Sequence, residues 1–109
     1  MTFKAPSYMR NVAIRSLEER MYYPESSRPM TSTGIKRAKQ LAANKPLSVK
    51  DLIDMRSFLI RHRQNFRPWI IDNQGRFTKG TISYWAWGGT ENDRSLIWVE
   101  NQLEKVGYL

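Results

Sequence analysis

His62 is the only histidine in a chain of 109 residues that has no cysteine. Those two facts remove thiolate nucleophiles, disulfides, thiolate zinc sites and most histidine-based acid–base or triad arrangements. At a helical position beside an apolar stripe, His62 reads as a hydrogen-bonded, partly buried side chain. Asp51 and Asp54 stand one helical turn apart and could pose as a metal pair. No Glu or His completes a shell around them, and hard divalent cations need several oxygen ligands. Capping explains Asp51, and a salt bridge to a nearby arginine explains Asp54. Gly88-Gly89-Thr90 opens a helix whose amides could hold an anion, but a turn between two helices accounts for the same residues. The expectation is a chain with no catalytic residue, cofactor, metal or small-molecule substrate.

Positive charge is the remaining chemistry. Eighteen Lys and Arg against ten Asp and Glu give a net charge of +8. Residues 1–79 carry sixteen basic and six acidic groups, for +10, and residues 80–109 carry two and four, for −2. A basic body with a mildly acidic end suits a polyanion, because neutralising phosphates releases counterions. Lys36, Arg37, Lys39 and Lys45, followed by Arg56, Arg61, Arg63 and Arg67, form the densest set, and are the candidate nucleic-acid contacts. Lys50 beside Asp51 and Asp54 weighs against base reading, since carboxylates repel phosphate. Phosphate contacts with weak sequence preference are expected.

Aromatic residues make up 12% of the chain, so a few large rings carry much of its apolar burial. Trp87 and Tyr84 read as core at helical spacing. Trp85, and Trp69 beside Arg67, are the candidates for exposed aromatic contacts, where stacking on a base would stabilise a complex.

The elements that must position these groups read as an all-α fold of about five short helices in one domain spanning residues 1–109. Its centre resembles a helix-turn-helix or a helical hairpin. Residues 1–6 and 23–32 read as loops, and 67–78 as a connecting loop. The first helix should run from Ser7 to Tyr22, with Met9, Val12, Ala13, Leu17 and Met21 as its apolar stripe. The second should run from Thr33 to Asn44, burying Ile35, Ala38, Leu41 and Ala42 while Lys36, Arg37, Lys39 and Gln40 point away. Ser48 and Asp51 form a capping box at the start of the third, with Leu47 and Leu52 as a staple. The third helix buries Leu52, Met55 and Leu59, and Pro68 bounds it. Asp72 to Gly75 makes a turn, read as part of a loop because no other strand candidate exists. A short fourth helix is capped near Thr78 or Thr81 and ended by Gly88-Gly89. A last one starts at Thr90, with Leu96, Val99, Leu103 and Val106 inside.

Gly34, Arg37-Ala38-Lys39-Gln40, Leu47-Ser48, Met55, Ser57-Phe58, Arg61-His62 and Trp87-Gly88-Gly89 together form a pattern. It resembles a module found in many proteins of tailed bacteriophages. Tyr84 stands where that family usually has tryptophan, and the segment before Trp87-Gly88-Gly89 is shorter. The resemblance implies a phage source and a place among head-assembly or DNA-handling proteins, and carries over no catalytic residue.

The reading is therefore a non-catalytic phage protein that binds nucleic acid, DNA first, through a basic helical face. Its rival is a virion component, associated with capsid or portal, or a module that binds and inhibits a host protein. Arg and Trp are enriched at protein interfaces. No stretch is apolar enough for a membrane span and the start has no signal-like run, so host cytoplasm or virion is the expected location.

Overall fold

Ser48 closes a capping box at the head of the longest helix, and the fold can be built outward from it. The computed structural model describes residues 1–109. The Ser48 hydroxyl accepts a hydrogen bond from the Asp51 amide at 3.0 Å, while the Asp51 carboxylate accepts from the Ser48 amide at 2.8 Å. Two of the orphan donors at a helix start are thereby satisfied. Helix α3 follows over Val49–His62 and buries Leu52, Met55 and Leu59 at helical spacing.

Around it stand α1 (Ser7–Glu19), α2 (Ser32–Ala42), α4 (Lys79–Ala86) and α5 (Arg94–Lys105). Helix α1 packs on α2 and α4, and α3 packs on α5. One core joins them, with Met9, Leu41, Leu52, Met55, Leu59, Tyr84, Val99 and Leu103 among its members. The domain is mostly helical, and no helix is long and apolar enough to cross a membrane.

Residues 1–6 are not all loop. Thr2–Phe3 (β1) pairs antiparallel with Leu47–Ser48 (β2), in the register Thr2↔Ser48 and Phe3↔Leu47. Residues immediately before an N-cap are already extended, so they offer a ready edge to a second short segment. The segment after α3 also differs from a plain loop. Ile71 and Phe77 form an isolated antiparallel bridge. The Asp72 carboxylate accepts from the amides of Gln74 and Arg76, both at 2.9 Å, and folds the turn around itself.

Two helix faces and one helix start differ from expectation, while the inner residues Leu96, Val99 and Leu103 of the last helix are buried as expected. The chain leaves α1 at Glu19 into a tighter 3-10 turn, Arg20–Tyr22, which leaves Met21 exposed. Ser16 is buried instead, its hydroxyl donating to the Ala13 carbonyl at 2.6 Å. In α2 the buried positions are Gly34, Arg37, Ala38 and Leu41, with Ile35 and Ala42 half-buried at the rim. Helix α5 begins at Arg94, not Thr90, because Asn92 and Asp93 adopt left-handed conformations with φ of 58° and 56°. Thr90 still serves this helix: its hydroxyl accepts from the Ser95 amide at 3.2 Å across that kink.

Candidate nucleic-acid interface

Helix α2 has one inner and one outer face, and its cations divide between them. Burial of Gly34, Ala38 and Leu41 fixes the inner side, which places Ser32, Lys36, Lys39 and Ala43 along the outer one. Lys36 and Lys39 are exposed and form no ion pair. Lys45, just past the helix, is equally free. The chain turns there because Asn44 takes a left-handed conformation with φ of 54°. Lys4 joins this end of the helix by donating from Nζ to the Asn44 carbonyl at 3.4 Å. The β1–β2 pair brings Lys4 there, forty residues away in sequence from Asn44.

Arg37 belongs to the other face. Its residue surface is only 9% exposed, against the expectation that it points away. The guanidinium lies 2.8 Å from Asp51 Oδ1 and 3.9 Å from Asp54, donates to Gln40 Oε1 at 2.6 Å, and sits 5.2 Å from the Trp87 ring centroid. An arginine's planar fork can serve several acceptors at once, and its stem adds apolar cover. Arg37 is therefore a buried tie between α2 and the capping box of α3, not a contact for phosphate. Partial burial would raise the Asp51 pKa. The Ser48 amide, the Arg37 and Gln40 bonds and the Arg37 charge outweigh it and hold the carboxyl at about 2.

The four arginines expected on the third helix divide in the same way, and α3 ends at His62, so Arg63 and Arg67 lie beyond it. Arg56 pairs with Glu100 at 2.7 Å and ties α3 to α5. Arg63 pairs with Asp93 at 2.9 Å, just ahead of α5. Arg61 is exposed and only returns to its own helix, donating to the Ser57 carbonyl at 3.2 Å. Arg67 is exposed and without an ion pair; its amide donates to Thr81 Oγ1 at 2.8 Å, which orders the backbone beside it. Of the eight candidate cations, Lys36, Lys39, Lys45, Arg61 and Arg67 stay both exposed and free of carboxylates.

The two candidate aromatic contacts part company. Trp69 is 75% exposed, two positions before the exposed Ile71. Trp85 is 3% exposed, which overturns its reading as a surface ring. It packs with Phe77 and Ile82 in a small second cluster, at 5.0 Å from the Phe77 ring, and Arg15 covers it at 4.4 Å. Trp87 and Tyr84 are core, as expected.

A second group of cations carries no signal in the sequence. Arg76 and Lys79 lie 4.6 and 5.4 Å from the Tyr23 ring centroid, and Arg28 Nε donates to the Tyr23 carbonyl at 3.2 Å. They meet because the Tyr23 hydroxyl donates to the Phe77 carbonyl at 2.6 Å, pinning the connector after α1 to the hairpin before α4. Nothing local along the chain marks a contact across 54 positions.

The remaining chemical candidates make contacts within the fold. His62 stacks on Phe58 with centroids 4.3 Å apart, and its Nδ1 lies 3.3 Å from the Asn65 amide nitrogen. No three His, Asp or Glu side chains gather as a metal set. Gly88 hands its carbonyl to the Ser95 hydroxyl, and the Gly89 amide donates to the Tyr84 carbonyl at 2.9 Å. No family model, curated protein or solved structure matches the chain.

Proposed function

We propose that this chain is a non-catalytic bacteriophage protein that binds nucleic acid, DNA first, through phosphate contacts from the outer side of α2. The observation that supports the reading is the segregation of its cations. Lys36, Lys39 and Lys45, with Lys4 beside them, are exposed and unpaired, while Arg37, Arg56 and Arg63 are consumed by internal ion pairs. Lysines on flexible stems bind phosphate as point charges and read no base edge. The helix-turn-helix pose, with α3 in a groove, is the less favoured form. Its exposed start offers Lys50 already paired with Asp54 at 2.9 Å, next to Asp51. The phage source rests on the motif resemblance from Gly34 to Gly89.

A protein partner, in the virion or the host, is the second reading. It draws on the apolar run Trp69, Ile70 and Ile71, which is exposed on the hairpin arm. Titrating duplex and single-stranded DNA at several salt concentrations separates the two. Nucleic-acid binding predicts an affinity that falls steeply with salt and falls further when Lys36, Lys39 and Lys45 become Gln. Absence of binding at low salt removes it, and recovery of the chain in purified particles would then favour the virion.

A further inference from the structure

A cleft of about 500 Å3 opens between the connector after α1 and the hairpin before α4. Tyr22, Tyr23 and Arg28 line it from the connector, and Gln74 and Arg76 from the hairpin. No carboxylate lines it. The two walls are tied by the hydrogen bond from the Tyr23 hydroxyl to the Phe77 carbonyl. The tight turn Arg20–Tyr22 at its edge buries none of its residues.

The two tyrosines differ. The Tyr23 ring is occupied: Arg76 and Lys79 stand over it, and it gathers cations at the cleft. The Tyr22 ring is 67% exposed, and no ring or cation of the chain packs against it. Arg28 and Lys79 form no ion pair. The bond from Arg28 Nε to the Tyr23 carbonyl fixes the stem and leaves the terminal nitrogens for an outside acceptor. Two carboxylates belong to the flanking turns. Asp72 is already paired with Arg76 at 2.9 Å, and Glu25 does not line the cleft. An aromatic face open to water beside unpaired cations is the combination by which single-strand binders hold a base and its phosphates.

We propose that this cleft binds single-stranded nucleic acid, with a base stacked on Tyr22 and neighbouring phosphates on Arg28 and Lys79. The inference rests on the nucleic-acid reading above and adds the form of the ligand. Bases of a duplex stack on one another and present only their edges in the grooves, whereas an unpaired base offers its face. An acidic protein segment would meet the cations without needing an open ring. Arg28 stands four positions ahead of Ser32, so the chain holds it within about 14 Å of the head of α2. A strand leaving the cleft can therefore continue onto the lysines on the outer side of that helix.

The test is fluorescence anisotropy of the full chain with labelled oligothymidylate and with a labelled duplex of the same length. The strand should bind more tightly than the duplex. Tyr22→Ala should weaken strand binding by about tenfold or more and leave duplex binding unchanged, and Tyr22→Phe should keep the parent affinity. Arg28→Gln with Lys79→Gln should lower the salt slope on the strand by about 0.7 for each phosphate they neutralise. Tyr22 is exposed, so its truncation leaves the core intact, and a thermal midpoint equal to the parent's verifies this. Tyr108→Ala removes another exposed ring, one that lies outside the cleft, and should change nothing. Equal strand affinity in Tyr22→Ala and the parent overturns the proposal. So does an equal loss of duplex binding in that variant, or an equal loss of strand binding in Tyr108→Ala. If Tyr22→Ala has no effect while both forms still bind with a steep salt dependence, the nucleic-acid reading stands without this site. If the parent binds neither form at low salt, both fall.

Discussion

Arg37 and Asp51 lie 2.8 Å apart, and through them α2 holds the capping box at the head of α3. Arg37→Ala leaves the partly buried Asp51 carboxylate without its counter-ion and Gln40 Oε1 without its donor. It should cost about 2–4 kcal/mol in urea unfolding. Arg37→Lys should recover only part of this, because an ammonium cannot serve Asp51 and Gln40 in one plane. A cycle with Asp51→Asn should show clear coupling. Equal stability of Arg37→Ala and the parent would contradict the assigned role.

The same carboxyl sets an acid limit. Asp51 titrates at about 2 in the folded chain against an ordinary 3.8. A depressed folded pKa contributes stability that is complete above the unfolded value and lost as pH falls through the folded one. The loss should therefore lie between about pH 4 and pH 2, and amount to about 1–2 kcal/mol once the pair's partial exposure is allowed for. Unfolding curves across that window should show a slope that Asp51→Asn flattens.

Tyr84 gives the mirror case at alkaline pH. Burial, then the nearby Asp93 charge, push its hydroxyl up to about 12, against a weaker opposing pull from Arg63. A raised folded pKa leaves stability intact below the unfolded value of 10 and loses it as pH rises toward 12. Tyrosinate absorbance should show one of the five tyrosines lagging the rest. Tyr84→Phe should remove the laggard.

Gly89 is held against Tyr84 without room for a side chain. A Cβ there would collide with the Tyr84 ring and stand 2.7 Å from the Tyr84 carbonyl oxygen. Backbone cannot yield as a flexible side chain does, so Gly89→Ala should destabilise by about 3 kcal/mol or more. A thermal midpoint close to that of the parent would refute this.

On nucleic acid, replacing Lys36, Lys39 and Lys45 by Gln should lower the salt slope by about 0.9 for each duplex phosphate that these lysines neutralise. Arg56→Gln, which opens the pair with Glu100, should lower stability and leave that slope in place. The reverse result would move the interface onto α3.

The legible parts of this fold are those governed by near neighbours along the chain. Ser48 and Asp51 signal a helix start because both halves of the capping box lie three positions apart. Thr78 and Gly88 bracket α4 for the same reason. What periodicity cannot tell is which polar residue on an inner face has a distant partner. Arg37 sits at a buried position of α2 because Asp51 reaches it from the next helix, and its own sequence neighbourhood reads as a solvated lysine–arginine run. Trp85 is hidden by Phe77 and by Arg15, seventy positions earlier, and no local pattern reports either contact. The two-residue strands β1 and β2 are shorter than any repeat that alternation could reveal. Of the candidate interface, the lysines of α2 are readable, and the cluster around Tyr23 is not.

The pairing of Thr2 with Ser48 is the shortest backbone tie in the fold that spans distant parts of the chain. Two residues of ladder close a loop that contains all of α1 and α2, and so short a ladder is marginal by itself. It should open far more often than the helices unfold, releasing Lys4 from the end of α2 while the Ser48–Asp51 cap stays shut. Opening of the ladder would thus lift Phe3 off the edge of the core and change how the positive charge at the end of α2 is laid out, with the helices in place.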